Sequence, residues 1–308
     1  MRALGAISGA LILALALACP AAADFAARRA AYAAGDYAAA LEQWLAPGEA
    51  GETAAQFALG TLYVNGEGVE QDFDEALLWF EKAAEQGHAG VQYNLGLILD
   101  QGWAGMPDSA AAAWWRKAAA QAHAGAQYQL GLQNEHGWGV EADMGEAMRW
   151  YRQAAEQNYA SAQYNLGLIY ANGRGVKPDT AEAAGWYRKA ADQGFIKAAY
   201  NLGVFYFKGD GVEEDHGEAV RLYRQAAERG HIDDQNNLAG MYALGLGTDQ
   251  DFVLAYMWAT LAADEEADYA EQNRAGIADR LSAEQIAEAR RLAAEWMPLG
   301  PPPDWIAE

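Results

Sequence analysis

The chain has 308 residues, 52% of them hydrophobic, with 11 Trp and 16 Tyr, a composition that builds a continuous buried core. Its formal net charge of −22 excludes a nonspecific nucleic-acid binder, because phosphate contact needs clustered Lys and Arg, and it disfavours an anionic membrane surface for the same reason. A cationic or neutral partner is permitted.

Residues 1–23 have the make-up of a signal peptide. Arg2 supplies a positive start, Leu4 to Ala18 is an apolar run too short to span a bilayer comfortably, and Ala21-Ala22-Ala23 is a small-residue cleavage site after Pro20. The expected mature chain starts at Asp24, periplasmic or secreted, with no membrane span. A rival reading makes Cys19 a lipidated N-terminus after Leu15-Ala16-Leu17-Ala18. Cys19 is the only cysteine, so cleavage after Ala23 leaves no disulfide, no thiolate metal ligand and no cysteine nucleophile.

Residues 24–52 form a predicted N-terminal capping hairpin. Within it, Asp36 stands at a helix start and Tyr37, Leu41 and Trp44 line one stripe.

From Thr53 the chain repeats. Leu59-Gly60, Leu95-Gly96, Leu130-Gly131, Leu166-Gly167 and Leu202-Gly203 recur, with Leu238-Ala239 as a last, altered copy, at leucine steps of 36, 35, 36, 36 and 36. A second anchor keeps the same step: Trp79, Trp114, Trp150, Trp186, Leu222 and Trp258. The fourth copy shows how one unit works. Helix A, about Ser161 to Ala171, puts Ala162, Leu166 and Tyr170 on one stripe. Gly167 inside that helix costs roughly 1 kcal/mol against alanine, so a close approach of the partner helix must offset it. Gly173-Arg174-Gly175 then stops the helix, and the same Gly-x-Gly occurs at Gly66, Gly137, Gly209 and Gly245. Asp179 with Glu182 has capping-box spacing for helix B, repeated at Asp72/Glu75, Asp143/Glu146 and Asp215/Glu218. Trp186 and Ala190 form the buried stripe of helix B, beside Tyr187 and Ala191, while Arg188 and Asp192 are expected to pair in solvent. One hairpin cannot bury its apolar face alone; stacked copies can.

The repeats span 53–268. Residues 269–308 continue with a helix over Tyr269 to Leu281 and another over Ala283 to Trp296, opened by the capping box Ser282/Gln285. Pro298 and Pro301-Pro302-Pro303 then stop that helix, and the tail Asp304 to Glu308 is expected to fray, a polyproline-led recognition motif being the alternative.

The pattern A-x-x-Y-N-L-G-x-x-Y…G-x-G-V…W-Y-R-K-A-A-x-Q-G resembles the Sel1-like repeat, a relative of the tetratricopeptide repeat, in six copies. Two copies depart from it: the second, one residue short, has Gly102-Trp103-Ala104-Gly105 in its loop, and the sixth reads Asn236-Asn237-Leu238-Ala239. The resemblance implies an all-α fold, a right-handed α-solenoid of helix-turn-helix repeats with capping helices at both ends, helix A lining a concave face and helix B a convex one. It also implies an adaptor that binds a protein or peptide in that concave groove, in envelope signalling or assembly.

Catalytic, cofactor and metal chemistry has no foothold. Of five histidines, His88, His123 and His231 occupy one repeat position, an echo of the repeat rather than a site. Of four serines none lies in G-x-S-x-G, and the Gly-x-Gly loops lack the third glycine and preceding strand of a phosphate cradle. The paired acids serve as caps. What remains is surface. One helix A column, Asn94, Gln129, Asn165, Asn201 and Asn237, is nearly uniform and is expected to bridge neighbouring repeats by amide hydrogen bonds. A second, Asn65, Gln101, His136, Asn172 and Lys208, varies on a fixed scaffold and is the candidate partner-binding column, above an apolar floor of Leu97, Leu132, Leu168 and Val204. The alternative is an envelope enzyme or a carbohydrate- or peptidoglycan-binding protein, for which Trp103 and Trp138 in the loops are the stacking candidates.

Overall fold

The computed structural model describes residues 29–100, 108–263 and 268–300. The expected signal peptide with Cys19, the stretch 101–107 with Gln101 and Trp103, and the residues from Pro301 on lie outside these residues. Every regular element described is an α-helix. In chain order they are α1 (Tyr37–Glu49), α2 (Thr53–Asn65), α3 (Phe73–Glu85), α4 (Ala89–Asp100), α5 (Asp108–Ala119), α6 (Ala124–His136), α7 (Met144–Glu156), α8 (Ala160–Asn172), α9 (Thr180–Asp192), α10 (Ile196–Lys208), α11 (His216–Ala227), α12 (Ile232–Leu244), α13 (Phe252–Ala263), α14 (Asp268–Ala278) and α15 (Ala283–Glu295).

The chain divides into two compact units, residues 1–153 and 154–308, with the break inside α7. In the first, α2 packs on α3 and α4 on α5, and α1 covers α2. Trp44 of α1 is fully buried there against Leu59 and Leu62. In the second, α8 packs on α9, α10 on α11 and α12 on α13, and both α14 and α15 pack on α13. Each unit is thus a run of stacked helix pairs, the local architecture of an α-solenoid.

The mid-helix glycines explain the pairing. A Cβ built on Gly167 would stand 2.4 Å from the ring of Tyr187; at Gly96 it would meet Trp115 at 2.3 Å, at Gly131 Tyr151 at 2.5 Å, and at Gly203 Tyr223 at 2.7 Å. Helix A therefore gives up a side chain so that a helix B aromatic can pack directly against its backbone. This aromatic follows the tryptophan anchor by one residue. In the sixth copy the exchange runs in reverse: Ala239 replaces the glycine, Ala259 replaces the aromatic, and both are fully buried.

The tryptophan anchors sit at the edge of the core. Trp79 and Trp186 are buried, whereas Trp114 and Trp150 are half-buried. Lysines one turn on cover three of these rings: Lys82 over Trp79, Lys117 over Trp114 and Lys189 over Trp186, at 4.1, 3.6 and 4.0 Å.

Two expectations for helix B need correction. Asp179, Asp215 and Asp143 do cap their helices, each accepting from a backbone N–H three residues on, at 2.9–3.0 Å. The reciprocal half of the box is missing. Glu182 instead accepts from Trp186 Nε1, and Glu218 pairs with Arg221, because these partners lie one turn ahead on the same helix. A complete box forms at Ser282/Gln285. Arg188 does not serve Asp192: it donates to the Tyr206 hydroxyl of the next copy, and Arg224 repeats this toward Tyr242 at 2.7 Å. An inter-repeat bond to a half-buried phenol is worth more than a solvated ion pair.

A buried glutamine ladder joins successive pairs. Gln56, Gln92, Gln163 and Gln235 each donate to the carbonyl eight residues back, of Gly48, Ala84, Ala155 and Ala227, at 3.0–3.3 Å. These are carbonyls at or near the end of the preceding helix, which lack intrahelical donors. Each of the first three also accepts from a glutamine after its own helix B: Gln86 to Gln56 at 2.7 Å, Gln121 to Gln92 at 2.9 Å and Gln193 to Gln163 at 2.7 Å. The fifth copy has Ala199 in this place, and Gln225 supplies the missing donor to Ala191 O at 2.9 Å.

The loops close the stack at the other edge. Gly211 has φ +69° and lies against the backbone of Thr180 and Ala181, where a Cβ would come within 2.3 Å. The second loop glycine is thus both a left-handed residue and a contact with the preceding copy.

Two outcomes follow from this packing. Gly167→Ala should cost about 1–3 kcal/mol by overpacking and Tyr187→Ala about 3–5 kcal/mol by cavity formation. Their combination should cost less than the sum by about 0.5–3 kcal/mol, because it recreates the Ala239/Ala259 pairing. Strict additivity in urea melts would show that the ring does not rest on the glycine. Gln163→Leu should destabilise by about 1–3 kcal/mol, since it removes two hydrogen bonds at a buried site, the one to Ala155 O and the one from the Gln193 amide; a loss under about 0.5 kcal/mol would show the ladder to be dispensable.

Candidate functional site

The aromatic and alanine stripes of helix B face the core, and the expected recognition surface lies on helix A. The floor residues Leu97, Leu132, Leu168 and Val204 are all half-buried, with part of each side chain facing outward. The second column divides between the two units. In the first, His136 is exposed and its ring stacks on Trp138 at 4.6 Å and 27°. Asn65 is half-buried and donates to Glu67 at 3.3 Å, with the Tyr32 hydroxyl beside it, so it is tied into the N-terminal packing. This differs from the expected free groove position. It follows from the aromatic pair Tyr32–Tyr37 that packs over the end of α2. Gln101 lies outside the described residues.

In the second unit, Asn172 and Lys208 are exposed. Asn172 donates to Leu168 O at 2.9 Å, which holds the amide carbonyl outward. The column has a sixth member that sequence reasoning missed, Leu244, which is 68% exposed. The signal was present: one more step of 36 from Lys208.

The first column behaves in part as expected. Asn94 is buried. Asn201 of α10 hydrogen-bonds the hydroxyls of Tyr164 and Tyr187 in the preceding copy, and burial raises the pKa of both phenols, which keeps them neutral. Asn237 makes no such bridge; it lines a cavity at the sixth copy.

The three histidines at one repeat position have three environments. His88 is exposed. His123 accepts from the Ala126 N–H through Nδ1 at 3.2 Å and stacks on Tyr93, and burial lowers its pKa. His231 faces Asp234, its Nδ1 2.5 Å from Oδ2, and that carboxylate raises its pKa. Asp234 is fully buried in a column that is otherwise Ala or Val, and burial pushes its pKa up to about 6. Sequence reasoning missed it, although a charged residue at an alanine position was a legible sign. Tyr200, Tyr223, Lys197 and Asp233 complete the charged and titratable surroundings.

Among the described residues no group of three His, Cys, Asp or Glu could hold a metal ion, and no helix is long and apolar enough to cross a membrane.

Comparison with known proteins agrees with the geometry. The Sel1 repeat family matches at residues 53–88, 89–123, 124–159, 160–195, 196–231 and 232–266. Among solved structures, a protective antigen of uropathogenic Escherichia coli strains with an SLR fold is 33% identical, with a TM-score of 0.70 over 88% of this chain. The chain spans only 58% of that protein. A Sel1 repeat protein from Oxalobacter formigenes is also 33% identical, with a TM-score of 0.67 over 76% of this chain and 68% of its own. No curated protein matches the sequence.

The His231–Asp234 pair sets a pH dependence. Asp234 keeps its proton up to about pH 6 when folded but only to 3.8 when unfolded, and the folded pKa of His231 is also raised. The folded chain therefore binds more protons in this window, so the pair's contribution grows as pH falls from about 7 toward 4 and is lost as pH rises through 6. Asp234→Asn removes a buried charge. The variant's melting temperature, relative to wild type, should be higher at pH 8 than at pH 4.5. The reverse ranking would mean that the ionised pair is net stabilising.

Proposed function

Because this chain belongs to the Sel1 repeat family, we propose that it is an exported adaptor that binds a protein or peptide on its helix A face, in envelope signalling or assembly. Sel1 repeat proteins generally mediate protein–protein interaction, and the scaffold is typically non-catalytic. The observation that carries the reading is the contrast between the two helices. Helix B spends its aromatic and alanine stripes on the core, whereas Asn172, Lys208 and Leu244 stand exposed at equivalent positions with different chemistry. Side chains of varied type on a repeated, rigid backbone are the composition of a recognition surface. Export rests on the signal-like segment 1–23 with cleavage after Ala23, and lipidation at Cys19 is the competing route. The antigenic role of the Escherichia coli relative accords with export.

One observation favours a second reading, carbohydrate or peptidoglycan binding. Trp138 is 44% exposed and stacked with His136, an aromatic platform of the kind on which a sugar ring packs.

Alanine at Gln101, Asn172 and Lys208 together should leave helicity and melting within about 0.5 kcal/mol of wild type, while weakening capture of the native partner by about 1–3 kcal/mol. The measurement is crosslinking in the producing cells, followed by a binding titration with the partner so identified. Unchanged capture would rule out the helix A column. Peptidoglycan retention lost in Trp138→Ala would favour the second reading.

A further inference from the structure

The sixth copy departs from the others at two neighbouring positions of helix A, and both departures remove bulk. Where earlier copies carry Phe57, Tyr93, Tyr128, Tyr164 and Tyr200, the sixth has Asn236. Where they carry Thr61, Leu97, Leu132, Leu168 and Val204, it has Gly240. A Cβ added at Gly240 would meet nothing within 4 Å, so this glycine, unlike Gly167, makes no room for a ring of its own chain. The space is a cavity of about 200 Å³ on the α12 surface, open to solvent. Phe207, Met241 and Leu244 supply its apolar wall, and Asn236, Asn237 and Asn273 supply amides.

The size and the lining select the occupant. Sites for whole small molecules run from about 300 to 1,000 Å³, so this cavity takes one large side chain rather than a free metabolite. No charged side chain lines it, which disfavours a carboxylate or ammonium group that would be buried unpaired. The amides offer both donors and acceptors. Asn273 donates to Asn236 Oδ1 at 2.8 Å, and that bond leaves the Asn236 Nδ2 and the Asn273 Oδ1 unused at the cavity lining. Asn237 adds a third amide, with no hydrogen bond to the described residues. Neutral donor–acceptor pairs beside an apolar wall match a peptide backbone flanking an apolar side chain. Leu244 and Phe207, 68% and 37% exposed, form a rim on which such a segment would rest. The net charge of −22 favours basic flanking residues.

We infer that the Gly240 cavity anchors one Phe- or Leu-sized side chain of an extended, basic polypeptide segment, a function that rests on helix A being the binding face. The probes are short peptides, Ac-Lys-Ala-Xaa-Ala-Lys-amide with Xaa Phe, Leu or Ala, and an acidic version with Glu in place of Lys. Wild-type protein should bind the Phe or Leu peptide at least about ten-fold more tightly than the Ala peptide and more tightly than the acidic one. Binding should shift the side-chain amide resonances of Asn236, Asn237 and Asn273. Gly240→Leu fills the cavity and places a better helix former in α12, so its melting temperature should hold or rise while the Phe/Leu preference disappears.

Absence of peptide binding, equal binding of all three Xaa peptides, or a preference that survives Gly240→Leu would each overturn the inference. If an apolar preference survives Gly240→Leu but is lost in Asn172→Ala/Lys208→Ala, the helix A face stands and the cavity falls. If the native partner binds that double variant normally and the cavity variant poorly, the cavity stands and the column falls.

Discussion

The contact on which the rest of the structure depends is an aromatic ring of helix B lying on a glycine of helix A. It sets how close the two helices come within each copy, and every other element is arranged around that distance. With Tyr187 against Gly167, the preceding tryptophan is carried to the edge of the pair, where a lysine ammonium group covers its ring. The cost of an interior glycine, roughly 1 kcal/mol, is offset by burying a large ring at full contact. The sixth copy supports this account by solving the same volume problem with two alanines.

Copies are then joined by polar groups with definite accounting. The last carbonyls of helix B accept one N–H from the closing turn, and a buried glutamine of the next helix A reaches back to give a second bond. The fifth copy keeps the bond while changing its source, from position 199 to Gln225. That substitution of donor shows the constraint to be the buried carbonyl, not the glutamine. Arginine–tyrosine bonds between copies add a second, outer row. A stack held by non-local ring packing and short polar bridges needs no disulfide, in keeping with a single cysteine located in the signal-like segment.

The last copy concentrates the departures. Asp234 sits where others have alanine or valine, Asn236 where they have an aromatic, and Gly240 where they have a larger side chain. A terminal copy meets α14 and α15 in place of another repeat, and its neighbours relax the demands of packing. The same freedom that lets its core residues drift also opens the cavity on α12.

The periodicity alone determined the fold class, the helix pairs and their loops, because leucine, glycine and tryptophan recur in phase and each copy must bury the same face. It also located the two helix A columns, since spacing of three and four residues maps directly onto one side of a helix. Four things waited for the tertiary structure. The close approach expected at Gly167 proved to be that of the Tyr187 ring. Arg188 crossed to Tyr206 instead of pairing with Asp192, and Asn65 was drawn toward Tyr32 and Glu67. The ladder of buried glutamines was found only in the folded chain. In each case the deciding contact lies about 18 to 36 residues away along the chain or on another helix, and no local rule of spacing specifies which of two available partners a long side chain will take.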